Sequence, residues 1–216
     1  GIMLILLQLS RIKRIWPAGT GPRMGAYFLL LGLAFLFIEM AFIQKFILFL
    51  SHPLYSVAVV LSGFLVFAGL GSAWSERLAG KLEGNDCSPV AIAVGGIALF
   101  AIVYVILLPL VFQRCIGFSD PVKIVISVVL IAPLASSMGM PFPLGLRYVA
   151  ATAPNFIPWA WGINGFASVI SAVLATLLAI EFGFVFVILV ALVLYAIAAL
   201  IFVSPTGPRS PNPLRQ

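Results

Sequence analysis

The chain has 216 residues, of which 63% are hydrophobic and 8% charged, with a net charge of +6. Soluble domains average about 25% charged residues, and a mean hydropathy of +1.22 leaves too few polar groups to cover a water-facing surface, so a soluble globule is excluded. The positive charge does not point to nucleic acid, because the basic residues are scattered between apolar runs and form no patch with interleaved aromatics; it reads as membrane topology.

The chain opens on GIMLILLQL, which is apolar but too short to span. It reads as the end of a truncated helix, and with the basic linker after it fills residues 1–23. No signal peptide is visible. Crossing about 30 Å of hydrocarbon takes about 20 helical residues, and six segments qualify: 26–50, 55–74, 89–112, 121–140, 158–180 and 184–203. The runs are continuous and lack the alternating polarity of barrel strands. The expected fold is therefore all-α, a polytopic bundle of six transmembrane helices over residues 24–203. The tail at 204–216, SPTGPRSPNPLRQ, is expected to be a disordered cytoplasmic segment.

In the first segment Gly25, Gly32 and Glu39 recur every seven residues and fall on roughly one face. Glycines there let a neighbouring backbone approach, so Glu39 is expected to point into the bundle. A carboxyl at bilayer depth costs about 2.5–3.5 kcal/mol on insertion scales. Glu39 is therefore either a proton or cation site or a hydrogen-bonded structural carboxyl. Gln44 is the next polar group and lies well round the helix. Lys45, near the outer end, can snorkel to the interface. His52, the single histidine, falls in a short outer turn, SHPLY.

Between the second and third segments lies GLGSAWSERLAGK, whose Gly, Glu-Arg, Gly and Lys order loosely resembles the signature loop of major facilitator transporters. Its spacing differs by one residue, and Glu76 stands where the usual Asp would be. Ser88-Pro89 and Asp120-Pro121 each offer a capping side chain followed by a proline at the first helical position. Pro109 and Pro133 lie inside their segments and should bend them. After the fourth segment, MGMPFPLGLR is expected to be non-helical backbone at the cytoplasmic interface, with Arg147 as a topology anchor, a lipid-phosphate contact or a docking residue. The fifth segment, PWAWGINGFASVISAVLATLLAI, carries Gly165, Ser168, Ala172, Ala175 and Ala179 at steps of three and four, a small-residue seam for helix packing. Asn164 adjoins it, as interhelical glue or as a ligand contact. Trp159 and Trp161 fit an interfacial aromatic belt.

Loop charges set the orientation. Arg11, Lys13, Arg14, Arg23, Arg77, Lys81, Arg147, Arg209 and Arg215 fall on one side, and Lys45, Arg114 and Lys123 on the other. The richer side should be cytoplasmic, so both ends of the six-helix block are expected inside a plasma (inner) membrane. That topology separates Cys87 from Cys115 and rules out a disulfide between them. No catalytic set, metal cluster or glycine-rich nucleotide turn is present, so catalytic residues, metal and cofactors are expected to be none.

Three stretches, FIEMAFIQKFILFLSHPLYSVAVVL, GMPFPLGLR and PWAWGINGFASVISAVLA, together resemble the C-terminal membrane portion of the bacterial multi-pass spermidine-synthase-like family, also described as fused transporter–spermidine synthase. The resemblance covers about residues 27–179. It implies a parent protein with further N-terminal membrane helices and a cytoplasmic aminopropyltransferase-like domain, both absent from this chain, which would be partners together with the lipid bilayer. The family's recurring polar positions would correspond to Glu39, Gln44, His52, Pro53, Arg147 and Asn164. No catalytic residue carries over, because the aminopropyltransferase-like domain is missing. The bundle itself is expected to resemble one half of a major facilitator fold. Its function is expected to be anchoring that domain and handling a polyamine or other amine; the alternatives are half of a proton-coupled transporter or a purely structural scaffold.

Overall fold

The computed structural model describes residues 20–82 and 88–203. Most of the expected 1–23 linker, the 204–216 tail and Cys87 lie outside the described residues. Six α-helices follow in order: α1 (Thr20–Leu50), α2 (Pro53–Lys81), α3 (Pro89–Cys115), α4 (Asp120–Met138), α5 (Pro141–Thr152) and α6 (Ile157–Val203), with a 3₁₀ turn at Pro154–Phe156 before α6. Five helical stretches are long and apolar enough to cross a membrane: Gly21–Leu50, Pro53–Lys81, Pro89–Cys115, Asp120–Thr152 and Pro154–Phe202.

The last of these is not straight. Gly183 has φ 81° and ψ 175°, a conformation that only glycine adopts readily. Asn164 abuts Gly32 of α1, while the carbonyls of Ile201 and Phe202 accept the Arg23 guanidinium, also on α1. A straight helix would hold residues 164 and 201 about 55 Å apart, whereas residues 23 and 32 are separated by only about 14 Å of helical rise. The chain therefore folds back at Gly183, and both arms of α6 lie against α1. The bend sits by the C-terminal half of α1, where Phe184 meets Phe42 at 5.9 Å between ring centroids.

This arrangement makes α1 the central helix. Of its most apolar stretch 56% is buried, against 28–39% for the other four. Tyr27, Phe28, Ile38, Phe42, Phe46 and Phe49 are fully or almost fully buried on it. Phe49 stacks on Phe112 of α3 at 4.3 Å and 6°, and Phe42 meets Phe64 of α2 edge-on. The outward surfaces are also apolar: Leu65, Ile106, Val129, Val169 and Leu200 are all exposed. An interior of large aromatics with an equally oily exterior suits a lipid solvent, where the backbone must satisfy itself within each helix.

Three local expectations are corrected. GLGSAWSERLAGK is not a loop; the whole stretch belongs to α2, which continues to Lys81. Nothing in it breaks a helix, since its glycines cost only about 1 kcal/mol each. MGMPFPLGLR is also mostly helical, because α5 starts at Pro141. Both prolines fall in the first turn of α5, where amides have no intrahelical acceptor to lose. Ser88 and the Asp120-Pro121 pair do mark helix starts, but Ser88 makes no capping bond, and Asp120 is already helical, with Ser119 at the cap position.

Candidate functional site

Glu39 is 3% exposed, inside the bundle on the central helix. Its Oε1 has no hydrogen-bond partner among the described residues. Buried polar groups are nearly always satisfied, and an exception calls for a physical account such as a bound water, ion or reacting group. The surrounding layer is aromatic. Phe42, one turn on, meets Phe64 at 5.5 Å and Tyr104 at 6.1 Å. Tyr195, on the second arm of α6, is within electrostatic range of the Glu39 carboxyl, and Tyr27 is within range of Tyr195. The Tyr27 hydroxyl donates to the Pro141 carbonyl at 2.6 Å, at the start of α5.

The other expected site residues are not gathered around this carboxyl. Asn164 packs on Gly32, with its Oδ1 3.0 Å from where a Gly32 Cβ would sit. That contact is seven residues, or about 10 Å of rise, from Glu39 along α1. Gln44 is half-buried on a different face. Lys45 places Nζ 5.6 Å over the Phe184 ring, and His52 is an exposed residue at the N-cap of α2, edge-on to Tyr55. No group of three or more His, Cys, Asp and Glu able to hold a metal occurs among the described residues.

The small-residue seam lies one step round from where the spacing put it. Gly32 is at the seam, where a Cβ would come within 2.9 Å of Ala167 Cβ. Across from it, Ala160, Ala167, Ser171 and Ala175 are buried, and Ser171 Oγ donates to the Leu33 carbonyl at 2.7 Å. Ala175 was named from the sequence and is part of this face. Ser168 and Ala172 are half-buried at its edge, and Gly165 is exposed with nothing within 4 Å of a Cβ position. The segment is rich in small residues on two adjoining faces, so spacing alone did not choose between them.

The tightest backbone approach is elsewhere. A Cβ on Gly71 would overlap the Ser136 carbonyl, and one on Gly139 would overlap the Ala68 carbonyl, so α2 and the end of α4 touch backbone to backbone. Lys123, counted from sequence as an outer loop charge, is 7% exposed, with Nζ 5.9 Å over Phe49.

No family model, curated protein or solved structure matches the chain. The site's own chemistry is one buried carboxyl a turn away from an aromatic layer, able to exchange a proton or hold a single cationic group.

Proposed function

We propose that the chain is an integral membrane module of six crossings, the two arms of α6 each counting as one, set in a plasma (inner) membrane with both ends of the block cytoplasmic. In this proposal Glu39 takes a proton or a cationic amine. The resemblance of GMPFPLGLR and PWAWGINGFASVISAVLA to the spermidine-synthase-like family suggests a polyamine or similar amine, and a role in anchoring an aminopropyltransferase-like domain. The single observation that carries the site is the buried Oε1 of Glu39, which has no partner among the described residues. A carboxyl left so in an apolar interior is costly unless it is used.

A second proposal places the chain as half of a proton-coupled transporter resembling one half of a major facilitator fold. The same carboxyl suits it, since a buried acid with an oxygen unpartnered among the described residues can take up and release a proton. One experiment separates the two. The protein is reconstituted in liposomes, and radiolabelled spermidine uptake and internal pH are followed with Glu39 intact and with Glu39→Gln. Amine uptake that vanishes with Glu39→Gln supports the first proposal. Proton movement without amine movement, again lost with Glu39→Gln, supports the second. A protein whose behaviour is the same with either residue leaves Glu39 as a structural carboxyl and the bundle as a scaffold, and ends both.

A further inference from the structure

Two depressions adjoin each other at the end of the bundle where α2 stops and α3 starts, and Arg147 of α5 lines both. The first, of about 320 Å³, includes Glu76 and Ser75 in its wall. The second, of about 260 Å³, includes Pro89, Val90, Tyr148 and Phe202, with no carboxylate in its lining among the described residues. Among the described residues Arg147 forms no hydrogen bond or ion pair. Its guanidinium is thus free to serve whatever enters, and an anion would choose the second depression, away from Glu76.

Two further features favour negative charge there. The start of α3 forms part of the wall; Pro89 occupies its first turn, and among the described residues no side chain caps it and the buried Ser88 Oγ beside it has no partner. A long helix presents partial positive charge at such an end. The opposite effect, from the carbonyls ending α6 next to Phe202, is offset because Arg23 donates to them. The rest of the described lining is largely apolar, with Leu144, Val90 and Phe202 beside Arg147. A free inorganic anion has no use for such walls, whereas a lipid has both a phosphate and acyl chains.

We infer that this depression seats the phosphate of an acidic phospholipid headgroup, with Arg147 as its main donor and the chains running down the adjoining apolar surface. The inference rests on the proposal that these helices span a membrane. Arginine pairs with phosphate through two parallel N–H donors, and basic pockets between membrane helices on the cytoplasmic side commonly take acidic headgroups.

The test uses the purified protein in mild detergent, with unfolding temperature read against added phosphatidylglycerol, phosphatidylcholine or inorganic phosphate. Phosphatidylglycerol should raise the midpoint by several degrees and saturate, while the other two leave it unmoved. Arg147→Gln and, independently, Ala151→Glu at the rim should abolish the rise, and Arg114→Gln at the far end should keep it. If Arg147→Gln does not fold, Ala151→Glu decides. A full response in either pocket variant overturns the inference, as does an equal rise with inorganic phosphate, which would assign the site to a free anion. Failure of the protein to enter phosphatidylcholine vesicles at all would instead refute the membrane reading beneath it.

Discussion

Glu39 is a residue whose environment makes opposite demands on stability and function. Its Oε1 makes no bond among the described residues that folding could lose, so Glu39→Gln should change stability by no more than about 1 kcal/mol, measured as unfolding in detergent. A structural carboxyl would behave differently, because removing one partner of a buried hydrogen bond costs about 1–3 kcal/mol. An unchanged midpoint together with lost transport is the expected signature; a midpoint that collapses would show that the carboxyl holds the bundle together. The acid was legible in the sequence because a charge in an apolar run stands out by composition alone. Its phenolic neighbour Tyr195 was not, since it lies far along the chain and is brought close only by the fold-back at Gly183.

At the scale of helices, close packing is decided by backbone approach rather than by counting small residues. Gly71 and Gly139 face carbonyls of the opposite helix, so Gly71→Ala or Gly139→Ala forces α2 and α4 apart. Overpacking of this kind costs about 1–3 kcal/mol, and either variant should unfold at a clearly lower temperature. Gly165→Leu, on an exposed face, should leave the midpoint near that of the parent. The reverse ranking would show that the seam follows Gly165 after all. Gly183 is a separate case, because its φ of 81° is closed to side chains on strain grounds even though space is open around it. Gly183→Ala should cost roughly 1–3 kcal/mol, read as lower yield and midpoint. Segment positions were readable because apolar length is a local property of sequence. The helical character of GLGSAWSERLAGK and of PFPLGLR was missed for a physical reason: glycine and first-turn proline are turn signals that tertiary packing, or simple position within the first turn, overrides.

For the whole molecule, α1 organises the rest. It is wrapped by α2, α3 and both arms of α6, and its aromatic layer from Phe42 to Phe49 ties α2, α3 and the second arm of α6 to it. The sheltered acid follows from that arrangement, because Glu39 sits on the helix that the others pack around. The charge distribution gave an orientation but could not tell that Lys123 tucks its amine over Phe49, because a lysine near a helix end reads the same whether it snorkels or packs. The proposed topology crosses a membrane six times around a shielded Glu39. Its most direct test is labelling of single cysteines with an impermeant maleimide in sealed cells and in inverted vesicles, after Cys87→Ser and Cys115→Ser. His52→Cys and Glu181→Cys should label only from outside, Ala151→Cys only from the cytoplasmic side, and Glu39→Cys from neither. Glu181→Cys labelling from the same side as Ala151→Cys, or ready labelling of Glu39→Cys, would contradict the account.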